Sequence, residues 1–368
     1  MEYATTTLAA ASPAPRVWIQ SPRWDLSWLI GSAAIVPLVL LAVWGGASSG
    51  AINLGTTALI GGPHLFSTYT ATYLDPRFRR SHRPMLWAIS LAIPALVVWG
   101  TLANFQVLLS IFIFTASVHV LHQNAYLTDI YRKRANTPEP AWSRLVDYGL
   151  LMLCIYPIAS WKLVRNDFLL GDIEILIPPF LRTPLTYWAV WIAFSALLAL
   201  WLSKTWGEAR RGVLNVPKTV LIGVTATIAF LVPLAAAGER LELAFQAVNV
   251  WHSFQYLGIV WLIQRVRRER GLADSPLVRS ITSGSNAAWR FYGSCLAVTL
   301  GLLGALILLA RLDPLGLAGE PNAFERYYYM GVLSCLLVHY ALDGWLFTVS
   351  NLRGVDAARE PYAVPAAA

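Results

Sequence analysis

The 368 residues are 57% hydrophobic and 13% charged, with a mean hydropathy of +0.54. Apolar stretches of about twenty residues recur along the chain, which excludes a soluble globule and marks a polytopic helical membrane protein. The net charge of +8 would suit a nucleic-acid partner, but the basic residues fall in every second loop, so they belong to membrane topology and no nucleic-acid partner is expected.

In chain order, residues 1–27 form a predicted cytoplasmic tail. It carries Glu2, Arg16 and Arg23, with no short apolar region and small-residue cleavage site, so the first helix is expected to act as a signal anchor. Ten apolar windows follow, at 28–44, 55–74, 85–102, 105–126, 145–163, 185–202, 219–237, 241–263, 288–310 and 327–349. They predict an all-α, polytopic transmembrane helical bundle of about ten spans, a single domain over residues 28–350. Residues 351–368 form a Pro/Ala-rich cytoplasmic tail. The loops 75–84, 127–144, 203–218 and 264–290, with the two tails, hold 22 of the 28 Lys and Arg. Those loops and both termini should therefore face the cytoplasm, as in a multi-pass protein of a bacterial inner membrane. The connection 164–184 alternates Asp167, Asp172 and Glu174 with apolar runs and is expected to lie in the outer interface. Cys154, Cys295 and Cys335 all fall within spans without CxxC spacing, as small packing residues.

Five of the six histidines also fall within predicted spans; His82, in a basic loop, is a solvated or headgroup residue. His64, His119, His252 and His339 lie ten to fourteen residues before the first cytoplasmic charge of their helices, Asp75, Asp129, Arg265 and Arg353. At 1.5 Å per residue these separations are roughly 15 to 21 Å, which puts four imidazoles in one layer near the bilayer midplane. Packing histidines have no reason to share a depth, whereas ligands of one metal must. His122 lies one turn beyond His119 on the same face. His339 and Asp343 are spaced i,i+4, so the carboxylate can bind the metal or orient the imidazole. Asn249, His252, Gln255 and Tyr256 form a polar stripe on the eighth window, and His119, His122, Gln123 and Tyr126 another on the fourth. The predicted metal ligands are thus His64, His119, His122, His252 and His339, and the predicted catalytic residues Asp343, Tyr256, Gln255 and Asn249.

An imidazole set with one carboxylate and no thiolate suits iron, copper or zinc. A dry, aromatic-rich interior favours oxygen chemistry on a lipophilic molecule, hence non-haem iron as Fe2+. The order Pro63-His64, His119, His252 and His339-Tyr-Ala-Leu-Asp343 resembles the histidine motifs of the Brp/Blh family of membrane-bound carotene dioxygenases. It is also similar to histidine-rich polytopic membrane proteins of bacteria. The Brp/Blh resemblance implies a non-haem iron enzyme that oxygenates or cleaves an apolar chain, with His64, His119, His252 and His339 as ligands. Tyr256 stands where that family has a second histidine, and His122 is additional. The expected reactants are a lipophilic small molecule and dioxygen within the lipid bilayer, served by an electron donor. Two other classes stay open: a haem- or quinone-binding redox protein with axial histidines, and a proton-coupled transporter using His252, His339 and Asp343 as a relay.

Overall fold

The computed structural model describes residues 17–135, 139–236, 241–271 and 275–346; the predicted C-terminal tail and residues 1–16 of the N-terminal tail lie outside them. The described chain is almost wholly helical. Its elements are α1 (Pro22–Trp44), α2 (a continuous run of Ser49–Thr56, Thr57–Gly61 and Gly62–Ala71), α3 (Pro76–Ser81) and α4 (Arg83–Ala135). There follow α5 (Ala141–Leu153), α6 (Tyr156–Arg165), α7 (Pro184–Arg210), α8 (Val216–Ala235), α9 (Leu241–Glu269), α10 (Pro276–Ile281), α11 (Ala287–Leu312) and α12 (Ala323–Leu346). Five helices, α1, α4, α7, α8 and α11, are long and apolar enough to cross a membrane.

Polar caps followed by proline start many of these elements. Ser21, Asp75, Thr183 and Ser275 each accept a backbone N–H from the first turn while a proline occupies the position after them, where its missing N–H costs nothing. Helix α1 accordingly begins at Pro22, inside the predicted tail. Asp25 fixes this entry by accepting from Ile19 N at 2.6 Å, Gln20 N at 2.9 Å and Tyr131 Oη at 3.0 Å.

Three departures from regular helix shape the bundle. Asn104 breaks α4 (φ −159°, ψ 87°), and its Oδ1 accepts Val107 N at 3.0 Å, capping a second arm; the break separates the windows 85–102 and 105–126. Window 145–163 is divided into α5 and α6, because Pro157 cannot continue the ladder of N–H donors. In α2 a π-helical turn, Thr57–Gly61, runs into Gly62-Pro63-His64. Pro63 leaves the Leu59 carbonyl without its intrahelical donor, and Tyr292 Oη of α11 donates to it at 2.7 Å. Gly62 admits α11 closely: a Cβ there would stand 2.1 Å from Thr299 Cγ2.

Helix α9 occupies the centre, packed by α1, α2, α4 and α8, while α12 lies against α4, α2 and α11. Nearly all of α9 is buried, including Glu242, His252, Ser253 and Gln255. By contrast, outer helices turn large apolar side chains such as Leu91, Trp99, Leu185 and Ile192 outward. The most polar long helix is thus enclosed by protein, where its polar groups can find partners. A second core joins α5, α7 and α8 to α4 through Leu121, Leu150, Phe194, Trp201 and Ile222. The connection 164–184 folds back as a hairpin, β1 (Leu169–Leu170) with β2 (Ile173–Glu174). Gly171 supplies the positive φ of 63° at its turn, and Leu176 N donates to Ser110 Oγ at 2.8 Å.

The basic residues of two predicted cytoplasmic loops are built into the structure as well as flanking it. Arg132 Nε donates to Glu139 Oε2 at 3.1 Å and Nη2 to Asp147 Oδ2 at 2.7 Å, and it also pairs with Asp129. Lys218 Nζ donates to Glu139 Oε1 at 2.5 Å, Lys204 pairs with Asp147, and Arg144 Nη2 donates to Asp129 Oδ2 at 2.7 Å. Burial pushes the Glu139 carboxyl up, but its bonds to Lys218, Arg132 and Ser143 outweigh burial and bring it down to about 2 from an ordinary 4.5. A carboxylate depressed on folding stabilises fully above its unfolded value and loses that contribution as pH falls through the folded one. Wild-type protein in detergent should therefore lose more melting temperature between pH 4.5 and 2 than Glu139→Gln does; equal slopes would contradict the assignment.

Candidate metal centre

His64, His119, His252 and His339 converge from α2, the second arm of α4, α9 and α12. Their rings form a closed cycle, with centroids 5.2 Å apart for His64–His252, 5.0 Å for His252–His119, 5.4 Å for His119–His339 and 4.6 Å for His339–His64. Each ring stands at 69° to 89° to its neighbours in the cycle. Two sets of ligand atoms each lie within 4.8 Å of one another: His64, His252 and His339, and His119, His339 and Asp343. His339 belongs to both.

Hydrogen bonds fix the tautomer of His64 and tie that of His339 to the charge on Asp343. His64 Nδ1 lies 2.7 Å from the Gly61 carbonyl, which only accepts, so Nδ1 carries the proton and Nε2 is bare. Tyr256 Oη donates to Asp343 Oδ1 at 2.6 Å. With its proton so committed, it accepts from Thr68 Oγ1 at 2.7 Å, and Thr68 in turn accepts from His339 Nδ1 at 2.7 Å. An ionised Asp343 would fix His339 with Nε2 bare as well, whereas a neutral Asp343 would reverse each bond of this chain and put the proton on His339 Nε2. The two Nε2 atoms stand 3.0 Å apart: with His339 Nε2 protonated this is an N–H···N hydrogen bond, and with both bare, lone pair faces lone pair and a cation is wanted between them. A first-row metal bound at about 2.1 Å with ligands near right angles separates its nitrogens by about 3.0 Å.

Other donors remain uncommitted around this pair. Both ring nitrogens of His252 are buried without a hydrogen-bond partner, as are His119 Nε2 and Asp343 Oδ2. Asp343 Oδ2 lies 3.3 Å from His339 Nε2 and 3.8 Å from His119 Nε2, contacts whose geometry does not make hydrogen bonds. Buried polar atoms left unpaired are costly, so this concentration of orphans fits a group that binds all of them. Tyr340 stacks on the His119 ring at 3.8 Å and 20°, holding it in place.

The structure brings His64, His119, His252, His339, Asp343 and Tyr256 together and leaves three predicted residues outside. His122, expected on the His119 face, is exposed and belongs to neither set of converging atoms. Gln255 sits about 60° round the helix from His252, facing α1 and α4. Its Nε2 donates to the Leu29 carbonyl at 2.6 Å and to Asn124 Oδ1 at 3.2 Å, and its Oε1 accepts from Gln123 at 2.9 Å. It ties α9 to the π-helical turn Leu26–Ile30 within α1, a packing role. Asn249 lines the cavity beside the rings without joining them. Thr68 was not anticipated from sequence, although its i,i+4 spacing from His64 places both on one face of α2.

A cavity of about 410 Å³ opens from the centre toward the N-terminal end of α9. His64, His119 and His252 lie at its wall, and most of its lining is apolar, from α2, α4, α9, α11 and α12. No family model, curated protein or solved structure matches the chain.

Proposed function

We propose that this chain is an integral membrane protein of ten spans with both termini cytoplasmic. In this reading it holds non-haem iron as Fe2+ and oxygenates or otherwise oxidises a lipophilic molecule with dioxygen. The observation that carries it is the ring of four converging histidines beside a carboxylate, in which both His252 ring nitrogens, His119 Nε2 and Asp343 Oδ2 are buried without a hydrogen-bond partner. His119, His339 and Asp343 make a two-histidine, one-carboxylate set, the donor combination of non-haem Fe(II) oxygenases. Iron bound there would supply dioxygen activation. The outward-facing apolar side chains and the basic-loop pattern support the membrane placement.

The protein's own residues have separable tasks. Gly61 O and Thr68 hold the tautomers of His64 and His339; Tyr256 donates to Asp343 and keeps its second oxygen facing the centre. The apolar cavity excludes water and admits a lipophilic molecule beside His64, His119 and His252. The resemblance to the Brp/Blh dioxygenases agrees with this assignment and is part of the same proposal. A haem is less well accommodated, because axial imidazoles need a macrocycle plane between them and His64 Nε2 and His339 Nε2 stand only 3.0 Å apart.

The test is elemental analysis and an optical spectrum of detergent-purified protein reconstituted anaerobically with Fe2+. Stoichiometric iron without a Soret band, and oxygen uptake dependent on added lipid, are expected. Absence of bound iron, or a Soret band, would refute the reading.

A further inference from the structure

The cavity beside the imidazoles carries amide side chains that the metal centre does not use. Asn249 and Gln246 lie one and two turns from His252 toward the N-terminal end of α9, at about 4.5 and 9 Å along its axis, and both line the cavity. Asn249 Nδ2 donates to Gln246 Oε1 at 3.2 Å. That leaves the Asn249 carbonyl and Gln246 Nε2 without a partner among the described residues. Asn53, on α2, which packs against α9, lines the same cavity. Its Oδ1 is buried with no hydrogen-bond partner, so something that donates is wanted there.

Charge narrows the ligand. Among the described residues lining the cavity there is no Lys or Arg, while Asp172 and Glu325 are present. None of these described residues would pair a buried carboxylate or phosphate. A pure hydrocarbon would fit the walls formed by Phe112, Phe245, Leu302, Leu306 and Leu336, but would leave the amides unsatisfied. An ester offers only acceptors, which Asn53 Oδ1 cannot use.

From these observations we infer that the cavity binds a neutral lipid bearing a hydroxyl group, held by Asn53, Gln246 and Asn249. Its role as substrate rests on the iron chemistry proposed above, whereas its binding does not. The hydroxyl donates to a free amide carbonyl and accepts from Gln246 Nε2, while the apolar remainder lies along the walls.

Equilibrium binding of radiolabelled hexadecanol, methyl palmitate, palmitate and hexadecane to the full-length protein in phosphatidylcholine nanodiscs tests this, with metal content measured on the same samples. Hexadecanol should bind at least about tenfold more tightly than the other three. The double variant Gln246→Leu/Asn249→Leu should lose that preference and keep wild-type metal content. Palmitate, methyl palmitate or hexadecane binding as well as hexadecanol to the wild type overturns the inference, whether or not the double variant folds. Preference for hexadecanol in protein that retains no metal supports the lipid site and sinks the iron reading. Metal retained without that preference does the reverse.

Discussion

His339→Ala is expected to lower metal affinity by more than about a hundredfold, because a residue that only orients a ligand is already worth about 10–100-fold and His339 is itself a ligand in the proposed centre. It is the one residue common to both converging sets, so its loss leaves His64 and His252 on one side and His119 and Asp343 on the other, with neither set complete. Thr68→Val should have a smaller effect, about 10–100-fold, by freeing the tautomer that Thr68 holds at His339 Nδ1. His122→Ala should leave metal content at the wild-type level, since its side chain is exposed. Competition with a chelator of known affinity, read by elemental analysis, orders the three variants. Equal loss in His122→Ala and His339→Ala, or none in His339→Ala, would undo the assignment of the centre.

Much of the proposed centre is legible in the sequence, for a physical reason. Depth along a helix is a linear function of residue number, so His64, His119, His252 and His339 could be placed in one layer by counting. Azimuth is less forgiving. Each residue turns the side chain by about 100°, and an irregular turn resets the phase. Spacing from His119 could not show that His122 points outward, nor could the stripe from Asn249 show that Gln255 turns toward α1. Thr68 was overlooked because a threonine among apolar residues carries little signal until Tyr256 and His339 are seen at 2.7 Å on either side of it. The fold divides along the same line. Helices existed where hydropathy placed them, whereas the division of window 145–163 at Pro157 and the start of α1 at Pro22 depend on backbone donors and caps that hydropathy does not weigh.

Loop charges enter the sequence reading as a topology signal and are opaque there as a structure, which leads to the other large expected effect. Asp147→Ala should cost about 3–5 kcal/mol of stability. Asp147 is fully buried and accepts from Arg132 at 2.7 Å, pairs with Lys204, and lies 3.5 Å from Lys218 Nζ. Lys204 and Lys218 are themselves almost wholly buried, with 4% and 1% of their side chains exposed. Deleting the carboxylate leaves those ammonium groups desolvated and short of an anion, which is the costly way to break a buried pair. Removing a cation together with the anion should cost less, so Asp147→Ala/Lys204→Met is expected to be more stable than Asp147→Ala alone. By the same reasoning Asp167→Ala, at the exposed Arg182 pair, should change stability by less than about 1 kcal/mol. Unfolding followed in detergent measures all three. A double variant weaker than the single one would mean that Lys204 stabilises this end of the bundle through packing of its stem rather than through its charge.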